Sequence, residues 1–206
     1  MIEKLLAFGS NQLELKLKMN PKKFINWTEE NFNYVKYNPR KKNNRFGLSI
    51  TSLDGGVTGI PDLDSIHEYN FENSTSWEET SFNVPTPVFE WPELKLIVDP
   101  WKNKIFRSHV LKIESGGYFP AHRDSNKLNV KVFRLIVPLE NCNPPDTRFM
   151  IGDKTLHWNH GNLYFINTLK EHTLFNASSL SSYWIVFNVI LNEDSITSVL
   201  ENLKRC

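Results

Sequence analysis

Cysteine is nearly missing from this 206-residue chain, which carries only Cys142 and Cys206. Neither belongs to a Cys-x-x-Cys pair, so a disulfide framework and a cysteine zinc site are excluded and a reducing, cytoplasmic setting is expected. Long apolar runs are missing too. Met1 to Ala7 lacks the apolar stretch of a signal peptide. No segment is long and apolar enough to span a bilayer, so no membrane partner is expected. Charge of one sign is not in excess: Lys plus Arg is 24 and Asp plus Glu is 23. A nucleic-acid partner, which needs a basic face, is therefore not expected. No internal repeat or low-complexity run is present. What remains is 40% hydrophobic and 23% charged residues, the composition of a folded globular chain.

The texture changes near residue 104, which divides the sequence into an N-terminal elaboration over 1–104 and a core over 105–206 that together form one body. In the first part, Leu13 to Leu17 alternates leucine with charge and predicts a strand. Asn20-Pro21 supplies a cap and a first-turn proline, which predicts a helix from Pro21 to about Asn31. Arg45 to Leu53 predicts a strand closed by Asp54-Gly55-Gly56, and Pro92 to Val98 a short helix. Thr58 to Thr86 is polar and reads as loop, suited to a lid.

The second part reads as short strands with tight turns. They are Phe106 to Ile113, Tyr118 to Asp124, Val130 to Leu139, Arg148 to Ile151, Thr155 to Trp158, Leu163 to Asn167, Thr173 to Asn176 and Tyr183 to Leu191. Gly116-Gly117, Gly152-Asp153 and Asn159-His160-Gly161 punctuate them. A final helix is expected over Asp194 to Leu203, capped by its aspartate. The fold class is therefore mainly β: a double-stranded β-helix, or cupin-like jelly roll, with flanking helices.

One constellation carries chemistry. In His122-Arg123-Asp124 the imidazole and the carboxylate are two apart, and on an extended strand such residues face the same side. His172 opens a strand that a jelly roll brings beside the first. Two histidines and one carboxylate on one face of a metal leave positions open for a co-substrate and O₂, which suits iron(II). The bland alternative is a surface His-x-Asp, the commoner fate of so short a motif. A kinase loop is excluded, although His122-Arg123-Asp124 with Asn129 spells its pattern, because no glycine-rich loop, strand lysine or Asp-Phe-Gly accompanies it. His157 and His160 are three apart, do not share a strand face and read as exposed. His109 lies in an apolar strand and reads as a hydrogen-bonded core histidine. Nothing supports a role for His67.

From Phe106 to Leu191 the chain resembles the aspartyl/asparaginyl β-hydroxylase-like branch of the iron(II)- and 2-oxoglutarate-dependent oxygenases, related to bacterial proline hydroxylases. The text that carries this is Gly116 to Asp124, Phe133-Arg134-Leu135-Ile136-Val137-Pro138-Leu139, Trp158 to Gly161, Leu163 to Asn167, then His172 and Asn176. The resemblance implies iron held by His122, Asp124 and His172, with 2-oxoglutarate and O₂ as co-substrates. It implies hydroxylation of an unactivated C–H bond on an amino acid or peptide side chain. Arg134 matches an arginine that pairs with a 2-oxoglutarate carboxylate. The chain departs from the pattern on its last strand, where Ser178 to Trp184 offers no basic residue. Lys131, Arg148 and the hydroxyl of Ser182 are the substitutes weighed beside Arg134. Tyr118, Phe119 and Trp158 are expected to face the substrate. The alternative is a non-catalytic cupin-like module that binds a metal or a small acid.

Overall fold

Three nine-residue strands among the described residues, buried along nearly their whole length on both faces, organise the molecule. In the computed structural model, which describes residues 1–9, 11–124 and 131–204, Val132–Glu140 buries residues on both of its faces. Phe133, Leu135 and Val137 point one way, into a core shared with helices, while Ile136 points the other way, into a second core between two sheets. Each such side chain taken fully out of water contributes on the order of 1.5–3 kcal/mol. Asn129, Val130 and Cys206 lie outside the described residues.

The strands, in chain order, are β1 (Gln12–Lys18), β2 (Val35–Lys36), β3 (Arg45–Ser49), β4 (Thr51–Ser52), β5 (Val84–Pro85), β6 (Ile105–Ile113) and β7 (Tyr118–His122). After them come β8 (Val132–Glu140), β9 (Thr147–Ile151), β10 (Lys154–Thr155), β11 (Asn162–Ile166), β12 (His172–Asn176) and β13 (Ser182–Ile190). Among the described residues the larger sheet runs β1-β11-β8-β13-β6-β3-β2, the smaller one β10-β9-β12-β7, and β4 pairs with β5. From β6 to β13 the eight strands divide between two facing sheets, which is the double-stranded β-helix. The N-terminal residues are built into it, because β1 pairs with β11 and β3 with β6.

Helices cover the outer face of the larger sheet. α1 is Glu3–Leu6; α2, Pro21–Asn31, starts where Asn20 accepts from the Lys23 N–H. α3 is Ile66–Asn73, α4 is Pro92–Val98 and α5 is Glu193–Glu201. Phe24, Ile97, Ile196 and Val199 are the apolar faces that α2, α4 and α5 lay on that core.

Several expectations shift. The strand expected over Arg45 to Leu53 breaks at Ile50, whose N–H bonds Ser108 on β6 and whose carbonyl accepts from Thr86, so the chain changes sheets there. The loop expected over Thr58 to Thr86 contains α3, capped by Ser65 through the Glu68 N–H. The strand expected over Thr155 to Trp158 is only β10, because the Trp158 N–H and carbonyl turn to the Asn143 side chain. Asn192, not Asp194, caps α5.

A β-bulge on β6 puts Arg107 at a φ of 40° and swings its side chain out of the sheet. Its Nε donates to the Asp62 carbonyl at 2.9 Å, Nη1 meets Glu79 at 2.8 Å and Nη2 bonds the Asp64 carbonyl. This one guanidinium ties residues 58–86 to the barrel. Among the described residues, no helix is long and apolar enough to cross a membrane.

Candidate metal centre

Two paired strands, β7 and β12, carry the histidines of the candidate site. The Gly116-Gly117 turn starts β7. Gly116 has a φ of 71°, and a Cβ on Gly117 would stand 2.6 Å from the Asn44 carbonyl, so the turn closes tightly only with glycine. His122 then lies directly across from His172. Between that pair and the Leu174–Phe119 pair, β7 carries one extra residue. Strict alternation would send residues 119 and 122 to opposite faces; the bulge turns both inward. Asp124 follows β7, with its side chain 17% exposed although the residue as a whole is open to solvent.

One carboxylate oxygen joins the two histidines. Asp124 Oδ1 is 3.3 Å from His122 Nε2 and 3.6 Å from His172 Nε2, and the three potential ligand atoms lie within 4.8 Å of one another. Donors sharing one small ion at right angles stand roughly 3 Å apart, so little movement is needed. Backbone carbonyls fix both imidazoles. His122 Nδ1 donates to the Pro120 carbonyl at 2.7 Å and His172 Nδ1 to the Lys170 carbonyl at 3.1 Å. A carbonyl only accepts, so each ring carries its proton on Nδ1 and offers the Nε2 lone pair to the centre. These donors fit a metal of the two-histidine, one-carboxylate type.

The electrostatics are consistent with that role. Burial works to raise the Asp124 carboxyl. The Arg134 guanidinium and the two imidazoles outweigh it and hold the group well below the usual carboxylate range. Arg134 Nε meets Asp124 Oδ2 at 2.5 Å. In its protonated form the His122 ring would also donate from Nε2 to Asp124, which raises its pKa against its burial, whereas burial lowers His172 despite the same carboxylate. Arg134 itself is raised: Asp124, then Glu79, outweigh the cost of burying it.

Beneath the triad lies a cavity of about 170 Å³. Arg134 and Thr168 supply its polar wall beside the triad. Ile136, Phe149, Leu174, Trp184 and Val186 make most of the rest, with Tyr37 and Phe119 toward β7. Of the residues singled out from sequence, His122, Asp124, His172, Arg134 and Phe119 come together here. Lys131 does not: it is exposed and pairs with Glu78 at 2.8 Å. Arg148 is exposed on β9. Ser182 is buried, with its hydroxyl accepting from the Trp184 indole at 2.7 Å. Tyr118 is 43% exposed, and Trp158 packs behind the cavity against Phe149 and Trp184. His157 and His160 are exposed, and His109 is buried with Nδ1 on the Arg107 carbonyl. Sequence reasoning missed Tyr37, which sits in a stretch without strong periodicity.

No family model matches this chain, and no curated protein matches it in sequence. Among solved structures it is similar to an oxidoreductase of the 2OG-Fe(II) oxygenase family from Burkholderia pseudomallei. The identity is 9% and the TM-score 0.50, over 89% of this chain and 86% of that one. It is also similar to the viral collagen prolyl hydroxylase of Paramecium bursaria Chlorella virus, at 10% identity and a TM-score of 0.48, covering 90% and 98% of the two chains. A cupin domain from Bordetella pertussis gives 15% identity and a TM-score of 0.33, over 43% and 83%. The likeness is one of fold.

Proposed function

We propose that this chain is a cytoplasmic iron(II)- and 2-oxoglutarate-dependent dioxygenase that hydroxylates an unactivated C–H bond of an amino acid or peptide side chain. The observation that carries the reading is the His122–Asp124–His172 cluster beside a mostly apolar cavity, with both imidazoles presenting Nε2 to the centre.

His122, Asp124 and His172 would hold iron. When bound there, the ion supplies the redox chemistry that couples O₂ reduction and oxidative decarboxylation of the 2-oxoacid to hydroxylation. The rest of the work falls to the chain. The carbonyls of Pro120 and Lys170 keep the two rings aimed. Among the described residues, Arg134 is the one cation lining the cavity. Its guanidinium is the group to receive a 2-oxoglutarate carboxylate, in a bidentate pair. Apolar side chains over most of the wall take the carbon chain and keep water out. β13 contributes no cation, so this role does not fall to the last strand.

The test is succinate formation from 2-oxoglutarate by the iron-loaded protein, measured together with O₂ uptake. Both are expected, and both are expected to disappear in Asp124→Ala and Arg134→Met. A second reading, a cupin-like module that binds metal or a small acid without turnover, is favoured by Trp184, whose indole occupies the β13 side of the cavity. Iron binding with no succinate from any substrate would select it.

A further inference from the structure

Arg45 opens β3 opposite Ile113 and is 5% exposed. A guanidinium out of water is costly unless an acid pairs with it. The other arginines kept largely from solvent each have one: Arg107 has Glu79, and Arg134 has Asp124. Among the described residues no carboxylate stands within ion-pair distance of Arg45, and its buried Nε has no acceptor. Aromatic rings hold it instead. Its Cζ lies 3.8 Å from the centre of the Phe119 ring and 5.2 Å from that of Tyr37. Both rings line the cavity of the metal centre. Phe119 in turn stacks on the His122 imidazole at 6.3 Å and 23°. The 3.8 and 6.3 Å separations laid end to end place the guanidinium no farther than about 10 Å from that imidazole.

We infer that Arg45 is the carboxylate subsite of the substrate, and that the substrate is a small molecule with a free carboxylate, such as a free amino acid. The acid docks on the guanidinium, supplies the counter-charge that Arg45 lacks, and lays its carbon chain along Phe119 and Tyr37 toward the triad. A carboxylate suits the position because it brings charge and two acceptor atoms to a planar donor fork. An amide brings one acceptor and no charge. The inference rests on the oxygenase reading only in calling the ligand a substrate, since binding itself needs neither iron nor turnover.

The test uses metal-free, ¹⁵N-labelled protein. The Arg45 Nε–H resonance is assigned by its loss in Arg45→Lys, then followed while the twenty free amino acids, and separately their carboxamides, are added. At least one acid is expected to shift it saturably while the matching amide does not. Arg45→Gln is expected to weaken binding of that acid by about tenfold or more. Arg45→Lys keeps the charge and serves where the glutamine variant does not fold; a partial loss is expected there. 2-Oxoglutarate is expected to move the Arg134 resonance, which separates failure of the co-substrate site from failure of this one. The inference is overturned if no acid shifts the Arg45 signal, if amides bind as tightly as acids, or if Arg45→Gln binds the acid unchanged. A shift produced only by C-terminally amidated peptides with acidic side chains would overturn the small-molecule assignment.

Discussion

Removing Arg134 probes the electrostatics of the centre most sharply. Its Nε is 2.5 Å from Asp124 Oδ2, and both side chains are only about one-fifth exposed. At an effective dielectric near 20, unit charges at that separation attract by roughly 6–7 kcal/mol. Desolvating the two ions returns several kcal/mol of this. A coupling of about 3 kcal/mol is what should survive in a double-mutant cycle of Arg134→Met and Asp124→Asn. The assay is urea unfolding of the four proteins in chelator. Arg134→Met alone is expected to cost about 3–5 kcal/mol, because it strands a buried carboxylate, and the double variant less than the sum of the singles. Saturating iron(II) without oxygen gives Asp124 a second cation, so the coupling should fall below about 1 kcal/mol. A coupling under about 1 kcal/mol in chelator, or one that iron leaves unchanged, would refute the reasoning.

His109 sets a pH dependence. Burial first, then Arg134 and Arg107, push its pKa down to about 3. The unfolded chain binds a proton near pH 6.5 that the folded protein refuses. This contribution to stability is therefore full above pH 6.5 and declines by about 1.4 kcal/mol per pH unit as pH falls toward 3. His109→Gln should flatten the decline between pH 7 and 5 in urea titrations; an unchanged slope would count against a neutral buried ring. Arg107→Met frees the carbonyls of Asp62 and Asp64 and the carboxylate of Glu79. Limited proteolysis should then cut first within residues 58–86, and cleavage elsewhere first would show that other contacts hold the segment. Asn192→Ala removes the cap that accepts from the Ser195 N–H at 2.8 Å and should cost about 1 kcal/mol. No change in the unfolding midpoint would mean that α5 is fixed by packing alone.

The strands were legible where one physical cue dominated. Phe133 to Val137 shows why: alternate residues go to the helix-side core, and the intervening Arg134 and Ile136 go into the barrel. The same parity that predicts the strand thus predicts that Arg134 faces the cavity. Asn20-Pro21 marked the start of α2 because capping is a local property. α3 escaped because its cap, Ser65 with Glu68, leads no apolar face; Phe71 on it is 89% exposed. The bulge in β7 was not legible either. Alternation groups Tyr118 with His122, whereas the extra residue leaves Tyr118 outside and turns Phe119 in. Lys131 was a reasonable cation by sequence proximity, yet Glu78, 53 residues away, takes it. Arg45 was hidden for a related reason. A charged residue opening a strand reads as exposed, and only the packing of Tyr37 and Phe119 around it shows otherwise. Partners distant in sequence decide these cases.

The proposed iron site at His122, Asp124 and His172 is tested most directly by anaerobic iron(II) calorimetry. One equivalent should bind the native chain. His122→Ala, Asp124→Ala and His172→Ala should each weaken binding by more than about tenfold, at least 1.4 kcal/mol, while the chain stays folded by circular dichroism. Native affinity in any one of the three variants would contradict the assignment of the centre.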